Sequence, residues 1–126
     1  MSQALELEPV LGADFSCSST LADGKLSVSF IGTGDALAIE PLGAYLKRIH
    51  AEAARLEVSQ VACDFRQLTF MNSSCFKAFV VWIDTVKNTP QPYGIRFLTD
   101  PAMHWQRRSL EALRRLAMNV VTVEGG

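Results

Sequence analysis

The chain has 126 residues, 48% of them hydrophobic and 20% charged, and a formal net charge of -1. That length fits one domain able to bury a core without disulfides, and the near-neutral balance excludes a protein drawn to nucleic acid or anionic lipid by charge alone. No apolar run approaches the roughly 20 residues of a membrane-spanning helix, and Met1-Ser2-Gln3-Ala4-Leu5-Glu6 has no basic stretch leading into an apolar one, so a cytoplasmic protein is expected.

In chain order, residues 1–12 form an arm or an added edge strand, with Leu5, Leu7, Val10 and Leu11 favouring some packing, and residues 13–126 form the domain. Asp14 to Leu21 and Leu26 to Ile31 read as strands joined by Ala22-Asp23-Gly24-Lys25, whose Asp-Gly pair is a strong hairpin signal. Gly32-Thr33-Gly34-Asp35 breaks the second strand. From Pro41, the apolar residues Leu42, Tyr45, Leu46, Ile49, Ala53 and Leu56 fall on one face of a helix that ends near Glu57. Val61 to Phe65 is a short strand, apolar on both faces, and a loop follows it to Met71. A helix from Ser73 to about Asn88 carries Phe76, Phe79, Val80, Ile83 and Val86 at helical spacing, with Ser73 or Ser74 as its N-cap or first-turn residue. Pro90 and Pro92 punctuate the chain before a strand at Ile95 to Leu98. Asp100 then caps a helix with Pro101 at its first position and Leu110, Leu113 and Leu116 turned inward, and Val120 to Val123 closes the domain. The order β-β-α-β-α-β-α-β predicts a mixed, mostly parallel α/β sheet with right-handed crossovers.

Within that order, Cys63-Asp64-Phe65, Leu68-Thr69-Phe70-Met71 and Asn72-Ser73-Ser74-Cys75 follow one another as a strand end, a loop with an apolar pair and a helix start. This run resembles the phosphorylation loop of the STAS domain, the module of bacterial anti-sigma factor antagonists and of sulphate-transporter tails. Asn72 stands where that family has aspartate, Cys75 where it has glycine and Lys77 where it has a second small residue. The resemblance implies a STAS-like single domain spanning about Asp14 to Glu124. It further implies a non-catalytic signalling regulator, while the near-neutral charge and a chain able to close its own core lead to a monomer, and no metal or cofactor is expected. Its partner would be a serine kinase or anti-sigma-like protein, with a cognate phosphatase. The implied acceptor is the second serine, Ser74, and the implied contact residues are Asp64, Met71, Asn72, Ser73, Ser74, Cys75 and Lys77, with Met71 partly exposed.

Other chemistry weighs less. Three cysteines, Cys17, Cys63 and Cys75, cannot all pair and have no metal-ligand spacing, which suits a reducing compartment. Cys75 in a first helical turn beside Lys77 offers a redox-sensor reading through a lowered thiol pKa, and a Ser-His or Cys-His enzyme using His104 lacks elbow glycines or an oxyanion-hole motif. A passive structural subunit is the third class. His50 reads as solvated, Asp64 as a partner for loop amides, Phe76 and Trp82 as core. Arg107, Arg108, Arg114 and Arg115 read as a solvated face, with a docking patch alongside Trp105 as the next reading.

Overall fold

The computed structural model describes residues 4–125. In chain order the elements are β1 (Val10–Leu11), β2 (Phe15–Ala22), β3 (Lys25–Gly34), a 3-10 turn at Ala36–Ala38, α1 (Ile39–Arg55), β4 (Gln60–Met71), α2 (Ser73–Lys87), β5 (Gly94–Thr99), α3 (His104–Leu116) and β6 (Val121–Gly125). The hairpin forms at Asp23-Gly24, where both residues take positive φ (54° and 72°) and the strands pair from Ala22↔Lys25 onward.

One six-stranded sheet carries the strands in sequence order. The β1–β2 and β2–β3 pairings are antiparallel, and β3–β4, β4–β5 and β5–β6 are parallel. Because each parallel strand is laid beside its predecessor in one direction, right-handed crossovers place α1, α2 and α3 on the same face. Burial alternates accordingly. Leu26, Val28 and Phe30 of β3, Val61, Cys63 and Phe65 of β4, and Ile95 and Phe97 of β5 are buried, while Ser27, Ala62, Asp64 and Arg96 between them are not. The strand at Val61 is therefore covered on one face, not two as its composition predicts. Phe65 sits in the middle of the core, with Phe30, Phe79 and Phe97 edge-on at centroid distances of 5.5, 5.2 and 5.3 Å.

Two boundaries differ from expectation in ways that shape the functional end. β4 does not stop at Phe65 but runs to Met71, pairing with β3 as far as Gly34↔Met71 through two register shifts. The stretch expected as a loop is thus strand, because β3 is also longer than expected and offers it a partner. Gly32 makes this possible: its φ is +103°, and a Cβ there would lie 2.1 Å from the Asp14 carbonyl oxygen. The last helix begins at His104, not Pro101. Asp100 instead heads a turn, its carboxylate accepting from the Ala102 amide at 2.9 Å and its carbonyl from the Met103 amide at 2.9 Å. Leu110 and Leu113 are buried as expected, whereas Leu116 is 42% exposed.

The N-terminal arm is tied down and also supplies the edge strand β1. The Glu6 amide donates to Glu52 Oε1 (2.7 Å), and Arg55 Nη2 donates to the Ala4 carbonyl (2.7 Å) while its Nε binds Glu52 Oε2 (2.8 Å). Hydrogen bonding from Arg55, reinforced by the Glu6 amide, holds the Glu52 carboxyl down to about 2. Among the described residues no helix is long and apolar enough to cross a membrane.

Candidate functional site

The β4–α2 junction is built by Asn72. Its amide donates to the Gly34 carbonyl (2.8 Å), which continues the β3–β4 ladder by one more bond, and its side-chain Oδ1 accepts from the Cys75 amide (2.8 Å). Asn72 is extended and is the N-cap of α2. Of the two places the sequence offered the serines, N-cap or first turn, they take the first turn, because the asparagine fills the cap. Ser73 and Ser74 occupy the first helical turn, both exposed, and no side-chain hydrogen bond engages either hydroxyl among the described residues. Lys77 is exposed one turn further on, three residues from Ser74.

Cys75 behaves opposite to the redox-sensor expectation. It is fully buried, and its thiol lies 3.8 Å from the Asp35 carbonyl oxygen. Burial first, and the Asp35 charge second, push the thiol pKa up. A buried thiol with a raised pKa is a weak nucleophile. It belongs to the wall of the junction, out of reach of a docked protein.

Asp64 is not at the junction. Since β4 continues for seven residues beyond it, roughly 20 Å of strand separates it from Met71. Its carboxylate is bound by Arg66 Nη2 (2.8 Å) and by the Arg66 amide (3.0 Å) on the open face of the sheet, and the Arg66 guanidinium holds its pKa below the usual value. Met71 and Asn72 are half-buried, so Met71 is partly exposed as expected. His104 is exposed at the start of α3, and among the described residues it has no hydrogen bond to Ser74 or Cys75 that would form a nucleophile pair.

Several residues at this end have roles the sequence does not announce. β5 pairs with β4 only as far as Asp64↔Leu98, so the rest of β4 has no strand on that side. Side chains of α3 take the strand's place. Gln106, with no exposure, donates through Nε2 to the carbonyls of Phe65 (2.6 Å) and Leu68 (2.9 Å), and its Oε1 accepts from the Asp100 amide (3.0 Å). Trp105 Nε1 donates to the Thr69 carbonyl (2.9 Å), which commits the indole to β4. A polar residue on the stripe of Leu110 and Leu113, four before the first of them, was the available signal. Leu37, in the 3-10 turn after Asp35, is 83% exposed, and Phe70, near the end of β4, is 49% exposed, so each leaves apolar surface open. His50 is not simply solvated either, since its Nδ1 lies 2.8 Å from the Tyr93 hydroxyl, which also accepts from Trp82 Nε1 at 3.1 Å.

No protein-family model matches the sequence, and no curated protein matches it. Solved structures do match. An anti-sigma factor antagonist from Mycobacterium paratuberculosis superposes with a TM-score of 0.64 at 15% identity, over 80% of this chain and 80% of that one. SiaC, the activator in a crystal structure of its complex with the diguanylate cyclase SiaD from Pseudomonas aeruginosa, superposes with a TM-score of 0.63 at 15% identity, over 94% of this chain and 99% of that one. The likeness shows a STAS-like α/β fold in one domain.

Proposed function

We propose that this STAS-like domain is a non-catalytic signalling regulator that binds a protein partner through the β4–α2 junction and is switched by phosphorylation of Ser74. The observation that carries the reading is the exposed pair Ser73-Ser74 in a helical turn whose cap is supplied by Asn72. The Ser74 hydroxyl has no structural duty to lose. Met71, half-buried, and Lys77, exposed three residues from Ser74, flank it along the chain as contact residues, and the domain acts as a monomer. By resemblance to antagonists of anti-sigma factors, the partner is a serine kinase or anti-sigma-like protein with a cognate phosphatase.

A phosphate on Ser74 brings about 1.5 to 2 negative charges to a surface that must lose water on binding. At the positive end of α2 it is tolerated by the fold, being favoured there by up to about 2 kcal/mol. In an interface, a misplaced charge costs about 2 to 5 kcal/mol, so the binding term dominates and affinity falls by roughly ten- to thousandfold. The test is phosphosite mapping of the protein purified with its partner, followed by binding of wild type, Ser74→Ala and Ser74→Asp. Equal binding by the two variants, both folded, would remove the switch and favour a passive subunit.

A second reading concerns the partner's class. SiaC activates a diguanylate cyclase, and its match extends over 94% of this chain against 80% for the antagonist. A nucleotide cyclase as the regulated partner would bind the same junction. Co-purification distinguishes the two, because a cyclase brings measurable cyclic-dinucleotide synthesis and an anti-sigma factor does not.

A further inference from the structure

We infer that Arg107 and Arg108 of α3 form a docking site for a short acidic segment of a partner protein. Half of the arginines of the chain lie on this one helix, against a single carboxylate, Glu111, although the chain as a whole carries a formal charge of -1. The other arginines are engaged. Arg55 binds Glu52, Arg66 binds Asp64, Arg96 binds Glu124, and Arg48 lies over the Tyr45 ring at 5.8 Å. Arg114 and Arg115 share Glu111, with their Nε atoms 3.0 and 3.9 Å from its carboxylate. Arg107 and Arg108 are exposed, and among the described residues neither side chain has a hydrogen bond, an ion pair or an aromatic ring for a partner.

Nor do these two charges serve the helix. α3 starts without a side-chain cap and without an acidic residue in its first turn, and Arg107 closes that turn, where the positive end of the helix dipole disfavours a cation. A local rule broken without a gain inside the chain points to a role outside it. The surrounding charges leave an excess of cations. Asp100, before the helix, is turned to the Ala102 amide (2.9 Å), Glu111 is held by Arg114, and on α2 Asp84 lines a hollow beside Leu116 together with Lys87, which offsets it. Adjacent guanidinium forks match carboxylates, each of which can take a bidentate pair of hydrogen bonds. The occupant is short because the free cations lie within one helical turn, with Asp100 before them and Glu111 after them; a long polyanion or a charged lipid surface would run onto those carboxylates. Trp105, bound to the Thr69 carbonyl, sets this half of α3 beside the outer half of β4. The site is thus at the same end of the sheet as Ser74 but on a separate helix, and its occupation needs no phosphate.

The test uses the full chain, isotope-labelled, with a short synthetic peptide of consecutive glutamates and aspartates and its glutamine and asparagine counterpart. The acidic peptide shifts the amides of Arg107, Arg108 and Glu111 and binds at least about tenfold more tightly than the neutral one. Arg107→Gln combined with Arg108→Gln weakens it by about tenfold or more. Lys25→Gln combined with Lys47→Gln removes the same charge from exposed lysines elsewhere and weakens it by less than about twofold. Ser74→Ala leaves binding unchanged, which separates this surface from the phosphorylation reading. Both arginines are exposed and unpaired, so their double glutamine variant melts at the wild-type temperature or above. No shift on α3, equal weakening by the lysine pair, or a lower melting temperature for the arginine pair overturns the proposal. So does tighter binding to a short DNA duplex or to vesicles containing phosphatidylserine than to the acidic peptide, lost with the same two arginines, which would assign the surface to another class of partner.

Discussion

A buried side chain that satisfies several backbone groups at once has no apolar substitute, and Gln106 is in that position. Replacing it with leucine leaves the Phe65 and Leu68 carbonyls and the Asp100 amide without its carboxamide, at about 1 to 3 kcal/mol for each group left unpaired. Gln106→Leu should therefore lower the melting temperature and speed hydrogen exchange from Leu68 through Cys75; an unchanged melt would show that water or a shift of β4 replaces it. Asn72 makes a smaller and more local contribution. Asn72→Ala orphans the Cys75 amide and should cost about 1 kcal/mol by denaturant unfolding, while Asn72→Asp keeps an acceptor and most of the stability. The same pair of substitutions separates capping from signalling, because neither alters the Ser74 hydroxyl.

At the scale of elements, α1 carries two predictions of opposite sign. Gly43→Ala should raise stability by roughly 0.5 to 1 kcal/mol, since the methyl meets nothing and the unfolded chain loses freedom. At its other end, α1 clamps the arm through Glu52 and Arg55. The Glu52 carboxyl is depressed from 4.5 to about 2, so its contribution is fully present above the unfolded value and fades as pH falls through the folded one. Protection of the Glu6 amide, measured against its intrinsic exchange rate at each pH, should therefore fall between about pH 4.5 and 2, and Glu52→Gln should show reduced protection at neutral pH. Element order was readable because each helix repeats apolar residues at helical spacing and Asp23-Gly24 can hardly be anything but a turn. The extent of β4 was not. Its outer half mixes Arg66, Gln67 and Thr69 with Phe70, and it is strand only because β3 flanks one side and Gln106 and Trp105 satisfy the other. The junction was legible in place but not in detail: the serines are where the sequence puts them, yet capping fell to Asn72, and the burial of Cys75 depends on the distant Asp35 and Gly34.

For the whole molecule, all three cysteines are buried, and burial raises the thiol pKa of each, that of Cys17 up to about 12. Alkylation at neutral pH should be slow for every thiol and rise together with global unfolding in denaturant, because labelling requires opening. Rapid modification of Cys75 alone would restore the redox reading. The strictly sequential strand order has a consequence for biogenesis. No strand is inserted between two earlier ones, so the sheet grows at one edge in the direction of synthesis, and on the ribosome the hairpin, α1 and β4 can assemble before the rest emerges. The outer half of β4 is the exception, since its free edge waits for Gln106 and Trp105 of α3. The serine-bearing turn should thus be among the last parts to mature, reaching its finished shape only when nearly the whole chain has been made, so that an incomplete nascent chain does not present a finished signal.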